Sequence, residues 1–325
     1  MTDNPAITIV TDSFLLNHDT GGGEHPEIPE RLEAIDKQLQ AGPLGSSLRY
    51  VQQVPAPREA LLLFHTEAWL FRFEEYVLSG RTYIDHTDNQ VCYESYDIAI
   101  SSAGTGLSGV DLVEQGSPGP VFCSTRPPGH HAEPNMPFGF CFFNNCAIAA
   151  RYWQKKYKRQ RICVIDFDAH HGNGIQTAFE EDADSLYISI HEHPSFSYPG
   201  TGYAEERGMG EGVGTILNIP LLPGASDSKF LESWDRDVPA KLDHFQPDAI
   251  IIAAGFDGHE QDDMSGLNYT TQLYGEIGRR VGLIAQQYAH GRVFSILEGG
   301  YNIPALAESV EEYLTGILSV TNQSK

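Results

Sequence analysis

Arg161-Ile-Cys-Val-Ile165 runs directly into Asp166-Phe-Asp-Ala-His-His-Gly-Asn-Gly174. The first stretch is apolar and β-branched with no polar alternation, the pattern of a strand buried on both faces. The second sets two carboxylates and two imidazoles within six residues, where glycines open the strand into a loop. An open parallel sheet builds its active site in this way, by surfacing strands into polar chemistry at their C-terminal ends.

Four more apolar runs share this design. Val121-Phe-Cys-Ser124 precedes Arg126-Pro-Pro-Gly-His-His131, and residues 186–190 precede His191. Residues 249–253 precede Gly255-Phe-Asp257, and residues 292–297 precede Glu298-Gly-Gly-Tyr301. Segments of helical period lie between them at 144–158, 228–245, 270–287 and 304–318. Alternating strand and helix signals predict an α/β fold with an open, mostly parallel, doubly wound sheet flanked by helices. Upstream, 28–40, 57–78 and 96–115 read as helices packed on that sheet, and 20–26 and 80–93 as loops. No linker, repeat or low-complexity block divides the chain, so 1–325 is expected to form a single domain. The glycine-rich stretch 191–215 is the longest without a secondary-structure signal, and such loops are usually functional.

Composition narrows the classes of function. An apolar fraction of 41% is enough for a substantial core. A formal charge of −23 argues against a nucleic-acid partner, which needs a basic surface. Steering of cationic substrates is one reading of that charge; a solvated acidic surface is the simpler one. No apolar run is long enough to cross a bilayer, and Met1-Thr-Asp-Asn-Pro5 lacks the features of a signal peptide. Cys92, Cys123, Cys141, Cys146 and Cys163 form no C-x-x-C pair, which points to reduced thiols in a cytoplasmic protein.

Asp168 and His170 can converge on a divalent cation as their strand ends, and Asp257 occupies the same strand-to-loop position elsewhere. Three protein ligands would leave positions for water and a substrate carbonyl. One Asp-x-His alone is as easily a capping turn; three polar strand ends of this kind make that reading poor. His130 and His131 could share the tasks of general base and general acid. Tyr301, presented by a glycine turn, could donate to a developing oxyanion. Gly21-Gly-Gly23 lacks the strand and Gly-Lys-Ser/Thr context of a phosphate loop and is set aside.

These residues resemble the histone deacetylase family from about His25 to the last helix. The resemblance rests on His25-Pro-Glu-Ile-Pro-Glu-Arg-Leu32, Arg126-Pro-Pro-Gly-His-His131, Gly139-Phe-Cys-Phe-Phe-Asn-Asn145 and the 166–174 segment. Tyr198-Pro-Gly-Thr-Gly202, Gly255-Phe-Asp-Gly-His259 and Glu298-Gly-Gly-Tyr301 complete it, in that order. The forms with Asn173, His259 and Glu298 resemble the class II branch and its bacterial deacetylase-like amidohydrolases.

The resemblance implies an arginase/deacetylase-like fold and one Zn2+ held by Asp168, His170 and Asp257. His130 and His131 would flank the attacking water, oriented by Asp166 and Asn173 respectively, and Tyr301 would polarise the acyl carbonyl. Phe140 and Tyr198, with Gly139, would line a narrow tunnel for the lysine methylenes, with Met264 near its mouth. Asp88 would grip substrate amides at the rim, and Arg31 would lie by an inner channel. A K+ ion would bind through Asp166, Ser189 and the carbonyls of Asp168 and His170. An amide at Asn173 cannot offset imidazolium charge as Asp166 can, so His131 is expected to have the lower pKa. His171 is left as support behind the ligands.

The implied activity is zinc-dependent removal of acetyl or other acyl groups from lysine side chains of a protein or peptide, or from a small acylated amine. Acetylpolyamine hydrolysis is the near alternative; Met264 at the mouth and the lack of an insertion speak mildly against it. A binuclear-manganese ureohydrolase would need further aspartates where Gly172 and His259 stand. An acyl-lysine binding module would be expected to have lost a ligand or the tyrosine. Neither nucleic acid nor membrane is expected as a partner, and a homo-oligomer is compatible with the sequence.

Overall fold

The computed structural model describes residues 7–21 and 25–321. The N-terminal pentapeptide and two of the three glycines of Gly21-Gly-Gly23 therefore lie outside the described residues.

Eight parallel strands form one sheet. In chain order they are β1 (Ile7–Val10), β2 (Leu48–Val51), β5 (Val121–Cys123), β6 (Ile162–Asp166), β7 (Ser185–Glu192), β8 (Ile216–Leu221), β9 (Ala249–Ala254) and β10 (Val293–Leu297). A separate antiparallel pair is made by β3 (Tyr83–Ile84) and β4 (His86–Gln90). Across the large sheet the order is β2-β1-β5-β10-β9-β6-β7-β8. The helices are α1 (Glu30–Ala41), α2 (Arg58–Leu61), α3 (Glu67–Leu78), α4 (Ser95–Glu114), α5 (Asn145–Tyr157), α6 (Asn173–Phe179), α7 (Asp227–Phe245), α8 (Thr271–Gln287) and α9 (Ile303–Thr321).

The central strands are buried along nearly their whole length and are largely apolar, because both faces are covered. On β6, Cys163 and Ile165 join the core under α1, α7, α8 and α9, while Ile162 and Val164 face the core that holds Trp153 of α5. Ile250 and Ile252 of β9 go to the first core and Ile251 to the second, the period-2 alternation of a strand. A third cluster around Trp69, Phe73 and Phe142 packs α3 and α4 against the chain leading into α5.

All five expected strands are present, and three more join the sheet. β1 and β2 are short, with β2 exposed at one edge. β8 forms the other edge, where Pro220 is tolerated because a proline needs no partner strand on its nitrogen side. Two further readings are corrected. The expected helix 57–78 is broken into α2 and α3, because Thr66 starts a new helix by accepting from Trp69 N at 3.2 Å. The expected loop 80–93 carries the β3–β4 hairpin. The four buried cysteines and half-buried Cys92 are unpaired. No helix among the described residues is long and apolar enough to cross a membrane.

Candidate active site

Four strands adjacent in space, β5-β10-β9-β6, carry polar C-terminal ends that are far apart in sequence. Asp166 ends β6, in register with Ala253 of β9 and Ser189 of β7. The loop after β5 passes over β10: the Glu298 carboxylate accepts from Gly129 N at 2.7 Å and His130 N at 3.0 Å. That loop brings both histidines to partners at and just past the end of β6, a strand three places away.

Asp168, His170 and Asp257 are buried and offer one ligand atom each, all within 4.8 Å of one another. His170 Nδ1 lies 2.8 Å from Asp257 Oδ2 and 3.2 Å from Asp168 Oδ1, while Nε2 lies 3.1 Å from the Met264 carbonyl. A carbonyl only accepts, so Nε2 carries the hydrogen in the neutral ring, and the Nδ1 lone pair faces the carboxylates. Without an ion, burial opposes a charge on His170, but Asp257 and Asp168 raise its pKa well above the ordinary value. Two buried carboxylates and an imidazole lone pair converging on one point suit a divalent transition metal, so the residues fit one. Gly299 N donates to Asp168 Oδ2 at 2.8 Å, and a Cβ on Gly299 would sit 2.4 Å from Asp257 Oδ2. Only glycine lets the β10 backbone approach the ligands this closely.

The two adjacent histidines have different partners. His130 Nδ1 lies 3.1 Å from Asp166 Oδ2, which also accepts from the Tyr187 hydroxyl at 2.9 Å. Burial opposes its charge, yet Asp168 and Asp166 raise its pKa to about 10. His131 Nδ1 lies 2.8 Å from Asn173 Oδ1. Burial, then the charges of His130 and His170, push the His131 pKa well below the ordinary value. The rings are 3.9 Å apart between centroids, so one cation disfavours a second. The ordering expected from the sequence is the one the geometry produces.

A cavity of about 250 Å³ opens above this centre. Asp88, His131, Gly139, Phe140, His170, Tyr198, Met264 and Tyr301 line it, which includes every residue expected for the tunnel. Tyr198 stands edge-on to His131 at 5.0 Å, and Phe140 edge-on to Tyr301 at 5.7 Å. Burial raises the Tyr301 pKa well above 10, which keeps its hydroxyl protonated as a donor.

Beneath Tyr301 lies Arg31, its guanidinium 4.8 Å from the ring centroid. Arg31 donates to Gly300 O at 2.6 Å and Glu298 O at 2.5 Å. Glu27 holds it at 3.2 Å and Arg126 by two bonds of 2.8 Å. Ser189 is hydrogen-bonded to His191 Nδ1 at 2.7 Å, and His171 bridges Thr201 and Gln176 at 2.8 and 3.0 Å. His171 thus ties the ligand loop to the long loop bearing Tyr198.

Several contributors escaped the sequence reading. Asp262 accepts from Met264 N, Tyr301 N and Asn302 N at 3.1, 2.6 and 2.9 Å, joining the rim to the tyrosine. Glu133 accepts from Asn173 Nδ2 at 2.7 Å. Glu298, Tyr187 and the Met264 carbonyl also went unassigned. Glu133 lies in the same loop as the paired histidines, and that proximity was its only signal; the others act through backbone or across strands.

The histone deacetylase domain model matches residues 25–317. A probable deacetylase of Archaeoglobus fulgidus is 38% identical over 86% of this chain and 77% of its own. Histone deacetylase 10, chloroplastic, of Oryza sativa subsp. japonica is 36% identical over 90% of this chain and 70% of its own. A histone deacetylase-like amidohydrolase of Pseudomonas aeruginosa is 33% identical over 92% and 78%. The crystal structure of the HDA15 HD domain superposes with a TM-score of 0.90 at 29% identity, covering 97% of this chain and 90% of that one. The fold and the family matched are those of hydrolases acting on amides. The chain belongs to the histone deacetylase family.

Proposed function

We propose that residues 1–325 form one catalytic domain that removes acetyl or other acyl groups from lysine side chains, or from small acylated amines, with zinc. The observation that carries this reading is the cavity walled by Phe140 and Tyr198, which ends on His131, His170 and Tyr301. Apolar walls suit a neutral acyl-lysine, since a free ammonium would lose its hydration on entry. Asp168, His170 and Asp257 would hold the ion, which supplies Lewis-acid polarisation of the acyl carbonyl and eases deprotonation of the attacking water.

The side chains do the rest. His131 takes the water proton at Nε2, because its Nδ1 hydrogen is committed to Asn173. Tyr301 donates its hydroxyl hydrogen to the carbonyl oxygen as negative charge grows there. His130, kept cationic by Asp166, makes protonated His131 a strong acid, which passes its proton to the leaving amine nitrogen as the C–N bond breaks. Asp88 at the rim would accept from substrate amides.

Asp166 and Ser189, paired across β6 and β7, together with the carbonyls of Asp168 and His170, support a structural K+ site. The residue types at Asn173, His259 and Glu298 favour class II. Unpaired thiols favour a reducing compartment, and the cytoplasm is our placement; the rice relative and Histone deacetylase 14 of Arabidopsis thaliana are named chloroplastic.

The test is a panel of acetyl-lysine peptides, acetylpolyamines and longer acyl amides, with metal content measured alongside. Wild-type zinc protein should cleave acyl-lysine, and Tyr301→Phe should lower kcat by about 100–1,000-fold with little change in KM. Full activity of Tyr301→Phe would remove the tyrosine from the mechanism. Preference for acetylpolyamines would transfer the assignment to that substrate class.

A further inference from the structure

We propose that Glu133 is a positioning residue for the base: acting through the Asn173 amide, it keeps the hydrogen of His131 on Nδ1. This rests on the deacylase reading above. A carboxamide has nearly the same shape in its two orientations, so what surrounds it decides which one forms. Asn173 presents Oδ1 to His131 Nδ1 at 2.8 Å and Nδ2 to Glu133 Oε1 at 2.7 Å. Flipped, the amide would donate to His131 Nδ1 and drive the ring hydrogen onto Nε2, the atom that must accept the water proton. The flip would also turn the amide oxygen toward Glu133, and two acceptors would meet without a hydrogen.

The other partner of Nδ2 is the His131 carbonyl, at a longer 3.2 Å. Glu133 is thus the stronger determinant of the amide's orientation. It lies on the same loop as His131, and its backbone N donates to Met136 O at 2.9 Å, which fixes the loop beyond it. Imidazole and carboxylate therefore grip the amide from one rigid segment. His130 needs no such device, because either oxygen of Asp166 accepts. An amide accepts on one side only, so it must be told which way to face.

The reasoning predicts a reversal of sign. Beside wild-type Asn173, loss of the Glu133 acceptor is harmful. In an Asn173→Asp background the new carboxylate faces Glu133 as a like charge, and Glu133→Gln supplies the missing donor. We would measure steady-state kinetics on an acetyl-lysine peptide for Glu133→Met, Asn173→Asp and Asn173→Asp/Glu133→Gln. Zinc content, melting temperature and the imidazole N–H signals of 15N-histidine protein would be followed in parallel. Glu133→Met should lower kcat about 10–100-fold with KM nearly unchanged, and the His131 Nδ1–H signal should be lost. Glu133→Gln should raise kcat in the Asn173→Asp background, a gain that misfolding cannot imitate. Unchanged kcat and an intact Nδ1–H signal in Glu133→Met, or a loss from Glu133→Gln in that background, would overturn the proposal. A wild-type protein that cleaves no acyl-lysine would overturn the deacylase reading instead, and the imidazole signal would still decide the role of Glu133.

Discussion

Replacing Glu27 by glutamine should uncouple the floor of the site from the rest of the molecule. Glu27 is fully buried between two fully buried guanidiniums. Burial opposes its charge, but Arg126 and Arg31 more than compensate and hold its pKa near 2, against an ordinary 4.5. That gap of about 2.5 pH units corresponds to about 3 kcal/mol of folding free energy. A depressed carboxylate pKa stabilises the folded state above the unfolded value of 4.5, and the contribution is lost as pH falls through 2. Removing one member of a buried pair costs about 3–5 kcal/mol by a separate route, the uncompensated charge left behind. Glu27→Gln should therefore lose about 3–5 kcal/mol at neutral pH, with the deficit shrinking below pH 4.5. Urea unfolding across a pH series checks both. Arg31 also sits under the Tyr301 ring and binds the backbone on either side of Gly299, so kcat should fall with stability. A deficit below about 1 kcal/mol, the level of an exposed pair, would refute the reasoning. So would a deficit that does not change with pH.

Other perturbations probe the centre itself. Asp257→Asn removes one anionic ligand and should lower zinc occupancy measured by atomic emission before any assay is run; full occupancy would dismiss it as a ligand. Gly139→Ala places a Cβ 2.4 Å from His131 Cδ2 at a φ of +50°, and kcat/KM should drop about 100-fold through displacement of the base. Because burial and neighbouring cations depress the His131 pKa, the base stays unprotonated until the pH is well below 6.5. The acid limb of kcat/KM should lie below that value, and a limb at or above it would contradict the depressed pKa of His131. Glu133→Met should leave KM nearly unchanged while kcat falls, as set out above.

What the sequence disclosed followed from burial. Strands covered on both faces read as unbroken apolar runs, so β5, β6, β7, β9 and β10 were legible, together with the polar residues at their ends. The edge strands were not, nor was β1, a buried run of only four residues beside the edge. β2 alternates too little apolar character to stand out, and Pro220 in β8 breaks the pattern a central strand would need. The break at Leu62–Thr66 was hidden because apolar residues continue through it, and only the Thr66 side chain marks the restart. In the site, residues whose own chemistry is distinctive were readable: Asp168, His170, Asp257, His130, His131 and Tyr301. Asp262 and Glu298 were not, because they act by accepting backbone hydrogens from segments distant in sequence, and an isolated acid carries no mark of that.

The strand order β5-β10-β9-β6 separates two capacities that are usually treated as one. The proposed ion ligands lie just past the ends of β6 and β9, which pair directly with each other. The two histidines proposed for turnover arrive on the loop after β5, where Glu298, just past β10, holds the backbone of Gly129 and His130. The proposed ligand side chains come from the first pair of strands, with Gly299, just past β10, bracing Asp168, whereas the proposed turnover also needs the loop after β5 in place. Loosening at the β5–β10 seam would displace the histidines before it reached the proposed ligands, so metal analysis alone is a poor measure of the competent fraction in any preparation.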